Sequence, residues 1–354
     1  MKKENIFLEF FDKNKLHVVP RKDNANLWNE VIDSLPFRPV RYLNSSIDYY
    51  IKYLEDQGEI CDDISCVILS DSKPIGLWPL SVSKKKSPLM LSSHGNPVVE
   101  PLFIECPKKT FKNNTKKCFS TASQIADNIG LKDWISSSSM LDNSSVSYWH
   151  QTCMSSNASL SSFHELYVDL ELPIEKIKSN FRKSYKPLVS LGEKLWKIDV
   201  INQSSLSAEI ENHVNEFCLL HEDVSGKKTR STESWSFQKN AILNSEAFLI
   251  CLRDDENKLI GAGYFSYTLD QGVYAIAAYD RELFQKPLGH AVQYAAIKEL
   301  KKIGCKWYHL GRRSYKNDMR QPTDKEISIS KFKEGFSTNI FPSFELKIPS
   351  LDGL

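Results

Sequence analysis

Residues 273–311 constrain the fold more than any other part of the sequence. VYAIAAYD reads as a strand, RELFQKP as a loop, LGHAVQYAAIKELKKI as a helix that ends before Gly304, and KWYHL as a second strand. This order is typical of an α/β unit. The first N–H groups of such a helix have no intrahelical partner, so they can bind an anion or a carbonyl oxygen. Gln285, Gly289 and His290 are therefore candidate ligand-binding residues, and an ordinary helix cap is the alternative.

The length of the chain indicates two domains. At 354 residues it exceeds what one compact core usually accommodates. Residues 136–162 are rich in serine and poorly patterned, which indicates a loop and an inter-domain connection. We therefore predict a first domain over residues 1–160 and a second over 161–354, with the last segment able to pack back on the first domain. The lysine-rich residues 108–117 are interpreted as an exposed loop.

The composition excludes several classes of protein. With 41% hydrophobic and 25% charged residues, the chain is typical of a soluble globular protein. Its formal net charge of +2 argues against DNA or another polyanion as a partner of the whole surface. No apolar run reaches the length of about eighteen residues that a membrane span needs, and Glu9 interrupts the one near the amino terminus, so we expect a cytoplasmic protein without a membrane span. The 8 cysteines form no ligand pattern, so no metal site is expected.

A lysine lies between two phenylalanines near the carboxyl terminus, in the segment SKFKEGF (330–336). Aromatic residues on a pleated or turning segment usually face a core, so Phe332 and Phe336 raise the question of where Lys333 points. Two interpretations stay open. Lys333 is either a solvated charge on a strand edge or a cation held rigidly at the rim of a site.

Other polar residues follow the predicted strands. HLGRRSYKND lies at the carboxyl end of KWYHL, where α/β sheets bind ligands. Arg312 or Arg313 can bind a carboxylate or a phosphate with two hydrogen bonds. Tyr315 can hydrogen-bond a sugar, and Tyr279 at the end of VYAIAAYD is a further candidate for substrate contact.

A basic helix is predicted over residues 178–194, broken or kinked at Pro187. Its spacing places Lys178, Arg182 and Lys186 on one face, which suits the phosphate groups of a nucleotide sugar or an RNA end. A solvated helix face is the alternative.

The segment LLHEDVSGKKTRSTESW (219–235) combines a histidine with acidic and basic residues. His221 is a candidate general base because imidazole titrates near neutrality, and Asp223 or Glu222 can serve instead. Arg230 and Trp235 are candidate substrate contacts. A histidine at the carboxyl end of a helix is often a partner of the helix dipole, which is the alternative for His221.

Three segments, in this order, resemble the Fem-type aminoacyl transferases, the peptidoglycan-bridge enzymes, and their exopolysaccharide-associated relatives. The segments are DLELPIEKIKSNFRKSYKPLVSLGEKLWKIDV (169–200), GHAVQYAAIKELKKIGCKWYHLGRRS (289–314) and ISKFKEGF (329–336). The resemblance covers about residues 165–345 and concerns only the layout over 1–160. It implies two tandem GNAT-like N-acyltransferase domains, an α/β fold with mixed sheets, and a groove between the domains.

The resemblance also implies a reaction. In this family the Phe-Lys pair of the last motif lies at the acyl-transfer centre, which implies Phe332 and Lys333 as catalytic residues here. A fixed cation stabilises the carbonyl oxygen that becomes anionic when an amine attacks an ester or a thioester. In GNAT proteins the loop before the corresponding helix, broadly Q/R-x-x-G-x-G/A, binds the pyrophosphate of acyl-CoA. Gln285 and Gly289 are one residue further apart than that pattern, and Pro287 lacks an N–H.

The expected function is transfer of an acyl or aminoacyl group to an amine in polysaccharide or cell-envelope biosynthesis. The donor is acyl-CoA or the acceptor end of aminoacyl-tRNA, used as a co-substrate and not as a tightly bound cofactor. The acceptor is an amino sugar, a nucleotide-linked sugar, a cell-envelope precursor or a peptide. A non-catalytic glycan- or partner-binding module on the same fold is the alternative.

Overall fold

The structure is a computed structural model that describes residues 7–84, 88–139 and 145–350. The chain divides into two units. The first contains Met1–Phe163 and Pro342–Leu354, and the second contains His164–Phe341. The sequence analysis predicted a division after residue 160 and allowed the last segment to pack back on the first domain, and Pro342–Leu354 does belong to the first unit.

The first unit is built from short strands and five helices among its described residues. Its elements are α1 (Leu8–Lys13), β1 (Val18–Pro20), α2 (Ala25–Asp33), α3 (Asn44–Asp56), β2 (Ile60–Asp63), β3 (Cys66–Ser70), β4 (Lys73–Trp78), β5 (Ser81–Lys84), β6 (Leu89–Ser92), β7 (Leu102–Phe103), α4 (Lys108–Asn128), β8 (Asp133–Ser139) and α5 (Tyr148–Ser155). Strands β1, β3, β4 and β7 form one sheet, and β2, β5 and β6 form another. An aromatic core that includes Phe11, Trp78, Trp134 and Trp149 joins these elements.

Two loop predictions in the first unit are wrong. Residues 108–117 form the first half of helix α4, because Phe111, Thr115, Cys118 and Phe119 recur at helical spacing and face the core while the lysines face outward. The stretch 136–162 contains the end of β8, helix α5 and the start of the next strand, and residues 140–144 within it lie outside the described residues.

The second unit contains the order of elements that the sequence indicated. Its elements are β9 (Ser159–Asp169, which begins in the first unit), α6 (Ile174–Asn180), α7 (Tyr185–Leu195), β10 (Lys197–Ile201), α8 (Ser207–Ser225), α9 (Thr232–Leu243), β11 (Ala247–Arg253), β12 (Leu259–Tyr267), β13 (Gln271–Tyr279), α10 (Leu288–Ile303), β14 (Trp307–Arg313), α11 (Asp324–Glu334) and β15 (Asn339–Pro349, which ends in the first unit). Neighbouring strands follow the order β10, β11, β12, β13, β14 and β9. Only the β13–β14 pair among these is parallel.

Helices cover both faces of this sheet, which is why β11 is buried along its whole length. Phe248 and Ile250 face α7, α10 and the residue Phe336. Leu249 and Cys251, which alternate with them, face α8 and α9. We call these the α10 face and the α8 face of the sheet.

The basic helix is interrupted earlier than the sequence analysis predicted. The break falls between α6 and α7 at residues 181–184, and Pro187 lies in the first turn of α7, where a missing N–H costs no hydrogen bond. Lys178, Arg182 and Lys186 therefore do not share one helix face, because they lie on α6, on the connection and on α7 respectively.

Candidate active site

Two parallel strands of the second unit separate near the middle of its sheet. The pairing between β13 and β14 starts at Gln271 and Trp307 and ends at Val273 and His309. Beyond that point β13 continues beside β12, and β14 continues beside β9. The two strands therefore enclose a gap, which we call the strand opening. It faces the carboxyl ends of both strands, where α/β sheets commonly bind ligands.

Gly311 borders the strand opening on the β14 side. Its φ of +109° belongs to the region that glycine tolerates, and the register of β14 against β9 shifts between His309 and Gly311. A Cβ at position 311 would lie 3.1 Å from Lys333 Nζ. The missing side chain thus leaves room for the lysine.

The ammonium group of Lys333 lies in the strand opening. Lys333 belongs to the last turn of helix α11, so it does not lie on a strand edge, which was one of the two interpretations that the sequence left open. Its Nζ lies 5.2 Å from the centre of the Tyr274 ring, and it forms no hydrogen bond or ion pair with any residue of the described ranges. Burial lowers the pKa of Lys333, and the negative charge of Glu165 opposes that shift.

The carboxylate of Glu165, on β9, lies close to this ammonium group. It accepts a hydrogen bond from His309 Nε2 at 2.9 Å and one from Arg312 Nε at 3.4 Å. Burial alone would raise the pKa of Glu165, but the hydrogen bond from His309 and the positive charge of Arg312 outweigh burial and lower it. The ring of Tyr167 stacks on His309 with 4.7 Å between the ring centres. Glu165 is therefore ionised and His309 is fixed in orientation.

Tyrosine side chains near Lys333 lie on β13 and on β14. Tyr274 Oη and Tyr279 Oη are 3.0 Å apart, and Tyr308 Oη donates to Gln293 Oε1 at 2.6 Å. Burial raises the pKa of Tyr274 and, more strongly, that of Tyr279. Tyr274 and Tyr279 are therefore neutral groups that can donate and accept hydrogen bonds beside the strand opening, whereas Tyr308 is fully buried.

An aromatic cluster fixes the end of α11 that bears Lys333. It consists of Tyr185, His290, Phe332 and Phe336. Ring centres are 4.5 Å apart for Tyr185 and His290, and 5.2 Å apart for His290 and Phe332. Burial lowers the pKa of His290 to about 4, so its imidazole is neutral at physiological pH. Because Phe332 is packed on three sides, the backbone that carries Lys333 has a defined position.

Two glycines allow this cluster to form. A Cβ on Gly335 would lie 2.2 Å from Tyr185 Cε2, and a Cβ on Gly289 would lie 2.9 Å from Phe332 Cζ. Contacts of this length are sterically forbidden, so any side chain at position 335 would displace the ring of Tyr185. Gly289 thus serves the packing of Phe332 as well as the start of helix α10.

The amino terminus of α10 offers few free hydrogen-bond donors. Leu288 N donates to Lys286 O at 2.9 Å, Ala291 N donates to Pro287 O at 3.1 Å, and Pro287 has no N–H. The N–H groups of Gly289 and His290 therefore remain without an acceptor within the described part of the chain. The side chain of Gln285 is exposed.

The predicted basic substrate contacts are engaged with the protein. Arg182 donates to Tyr185 Oη at 3.0 Å and to the carbonyl oxygen of Lys331 at 2.8 Å, so it caps the end of α11. Lys186 Nζ donates to the carbonyl oxygen of Ser179 at 2.9 Å. Arg313 pairs with Glu334 at 3.1 Å and lies 4.4 Å from the ring of Tyr315.

The residues around His221 form a separate group on the α8 face of the sheet. His221 Nε2 lies 3.3 Å from an Arg230 nitrogen, and His221 Nδ1 lies 3.4 Å from Thr229 Oγ1. Burial and the charge of Arg230 lower the pKa of His221. Trp235 packs against the edge of this imidazole, and Asp223 is exposed. The structure thus does not bring these four predicted residues together with the aromatic cluster, which lies on the α10 face.

The strand opening contains three residues that the sequence analysis missed. Glu165, Tyr274 and His309 come from strands far apart in the chain, and nothing in the local pattern of β9 or β13 distinguishes Glu165 or Tyr274. His309 had a weak signal, because it lies in a strand whose carboxyl end was already expected to bind a ligand.

No helix within residues 7–84, 88–139 and 145–350 is both long and apolar enough to span a membrane. No group of three or more histidine, cysteine or acidic residues in the same ranges is arranged to hold a metal ion.

Comparison with known proteins identifies the fold. No protein-family model matches the sequence, and no curated protein matches it. Among solved structures, FemX is 11% identical with a TM-score of 0.64, covering 95% of this chain and 97% of that chain. A C-terminal domain (DUF2156) assigned to a lysylphosphatidylglycerol synthetase of Agrobacterium fabrum is 11% identical with a TM-score of 0.59, covering 93% and 94%. L-PGS of Bacillus licheniformis is 13% identical with a TM-score of 0.54, covering 88% and 94%.

These similarities place the chain in a class by its fold. It is an α/β protein with mixed sheets, as the sequence analysis expected, and its chain divides into two units. More particularly, it is a Fem-like protein in fold, since FemX matches it over nearly the full length of both chains.

Proposed function

We propose that this protein is an N-acyltransferase in which Lys333 stabilises the anionic oxygen of the reacting carbonyl. The position of Lys333 is the observation that carries this proposal: its ammonium group is partly buried and unpaired within the described residues, and it lies in the gap between two parallel strands. An ammonium group that forms no ion pair within the described residues, and interacts with Glu165 only at longer range, is available to a charge that develops during a reaction. The protein supplies positioning and charge, and the activated ester supplies the driving force.

We propose aminoacyl-tRNA as the donor. Binding of a pyrophosphate needs several hydrogen-bond donors that converge on it. Helix α10 presents only the N–H groups of Gly289 and His290 among its described residues, and these lie next to Pro287 and the ring of Phe332. This arrangement favours the ester of an aminoacyl-tRNA acceptor end over acyl-CoA. The name of the similar lysylphosphatidylglycerol synthetase domain also refers to an aminoacyl product.

The proposed acceptor is the amine of an amino sugar, a nucleotide-linked sugar or a peptide of a cell-envelope precursor. The hydroxyl groups of Tyr274 and Tyr279 beside the strand opening suit a polyhydroxylated or peptide ligand, because neutral hydroxyls can donate and accept hydrogen bonds. Charged tRNA is made in the cytoplasm, so we also propose a cytoplasmic location.

The test is a direct measurement of mass increments. The protein is incubated with charged tRNA or with acetyl-CoA, and with UDP-glucosamine, glucosamine or triglycine. We expect one acceptor to gain the mass of an amino acid, and we expect ribonuclease to abolish the gain. Release of free thiol together with an acetyl increment would show that the donor is acyl-CoA and not aminoacyl-tRNA. No increment with either donor, together with binding of an acceptor, would contradict the proposal and favour a binding module.

A further inference from the structure

A histidine–carboxylate pair lies where β13 and β14 separate. His309 is the last residue of β14 that pairs with β13, and its Nε2 donates to Glu165 Oε2 at 2.9 Å. Glu165 is held in turn by Arg312, and Tyr167 stacks on the imidazole. The side chain of His309 is 23% exposed, and its Nδ1 has no partner within the described residues. A carboxylate on one ring nitrogen fixes the tautomer and leaves the other nitrogen as a base.

We propose that His309 is the general base that removes the proton from the acceptor amine, and that Glu165 is its positioning residue. This inference rests on the proposed acyl transfer and adds the residue that handles the proton. It replaces His221, the base that the sequence suggested.

The other histidines near these elements fit this chemistry less well. An arginine can only donate a hydrogen bond, so the contact of Arg230 with His221 Nε2 occupies the lone pair of that nitrogen. The other ring nitrogen, His221 Nδ1, is in contact with the hydroxyl group of Thr229. His290 is enclosed by Tyr185, Phe332 and Phe336, and its Nε2 is buried. His309 is the histidine of the strand opening that combines an orienting carboxylate with an accessible nitrogen.

Charged and titratable groups face His309 from each neighbouring element. Glu165 and Tyr167 come from β9 and Arg312 comes from β14, whereas Lys333, from α11, interacts with Glu165 and not directly with His309. The carboxylate of Glu165 interacts with both the imidazole and the ammonium group. It therefore links the group that accepts the proton to the group that stabilises the oxyanion.

The proposed step is balanced without any further reactant. The amine nitrogen forms a bond to the ester carbonyl carbon, and the carbonyl oxygen becomes anionic beside Lys333. The proton of the amine moves to His309 Nδ1. The carbon–oxygen bond of the ester then breaks, and His309 returns the proton to the leaving oxygen, so the products are an amide and an alcohol.

The test compares two nucleophiles in the variant His309→Gln. With charged tRNA as the donor, transfer to the best amine of the panel should fall about 10²–10³-fold. Transfer to hydroxylamine, which is unprotonated at neutral pH and depends less on a base, should fall less than about 10-fold. The control His17→Gln changes an exposed histidine of the first unit and should leave both rates unchanged. Glu165→Gln should lower kcat for the amine with little change in KM.

The outcomes separate this inference from the proposed function. The inference fails and the proposed acyltransferase function stands in two cases, both of which require that the wild type transfers to an amine. In the first case His309→Gln is fully active. In the second case its transfer rates to the amine and to hydroxylamine fall by the same factor. If the wild type transfers to no nucleophile, the proposed function fails and the inference with it. A second measurement does not need turnover: ¹⁵N NMR of the neutral imidazole should find the proton on Nε2, and a proton on Nδ1 would overturn the inference.

Discussion

At the scale of single residues, the candidate site depends on a charge that has no ionic partner among the described residues. Partial burial of an ammonium group costs free energy unless a partner compensates it, and burial lowers the pKa of Lys333. The surrounding residues are nevertheless arranged to keep it in place. Gly311 gives it room, the ring of Tyr274 lies next to it, and the aromatic cluster holds its backbone.

Replacement of Gly311 tests whether the space beside the ammonium group matters. In Gly311→Ala the new Cβ would lie 3.1 Å from Lys333 Nζ, and the φ of +109° would be strained. We expect a loss of about 1–3 kcal/mol in the free energy of unfolding and, in addition, a fall in kcat. Chemical denaturation and steady-state kinetics measure the two effects.

Gly304→Ala is the matched control for that variant. Gly304 has a φ of +92° and no atom within 4 Å of its Cβ position. It should therefore lose similar stability and keep its kcat. Equal kcat values for the two variants would show that the ammonium group tolerates displacement.

His290 makes the stability of the protein dependent on pH. Its folded pKa of about 4 lies below its usual value of 6.5, so the unfolded chain binds the additional proton between these values. The contribution of neutral His290 to the free energy of unfolding is complete above pH 6.5 and is lost as the pH falls towards 4. Its upper limit is about 3 kcal/mol. Unfolding curves of His290→Leu should depend less on pH than those of the wild type over this range, and identical slopes would contradict the assignment.

At the scale of elements, the end of helix α11 is the part that positions the site. Arg182 caps its last carbonyl groups, Arg313 pairs with Glu334, and Phe332 packs on the start of α10. The sequence contains a signal for the start of this helix. Thr323 and Glu326 form a capping box at its start, and the spacing T-x-x-E is typical of a helix amino terminus. Phe332 and Phe336 also suit a pleated or turning segment, so the aromatic pattern alone leaves the environment of Lys333 open.

Gly335→Ala tests the packing at this helix end. Gly335 has a φ of −63°, which alanine adopts freely, so any loss reports the steric clash with Tyr185. We expect the free energy of unfolding to fall by about 1–3 kcal/mol and kcat to fall with it. Lys331→Ala changes an exposed side chain in the same turn and serves as the control. A Gly335→Ala variant with normal stability would show that Tyr185 moves at no cost.

At the scale of the whole molecule, the order of elements was predictable and the site was predictable only in part. Strand–loop–helix–strand order and the Fem-like segments predicted the fold, which the similarity to FemX confirms. Periodicity could not reveal the strand opening, because it depends on where the pairing of β13 and β14 ends. It could not reveal the proximity of Glu165, His309 and Lys333 either, because these residues come from β9, β14 and α11.

The turnover of Lys333→Met tests the central claim most directly. Methionine keeps the length of the side chain and removes its charge, so kcat for aminoacyl transfer should fall about 10²–10³-fold while the fold is retained. The free energy of unfolding should rise by about 0.5–2 kcal/mol, because a partly buried charge is removed. Lys325→Met, on an exposed position of the same helix, should leave both quantities unchanged. A kcat for Lys333→Met within about threefold of the wild type would contradict the account.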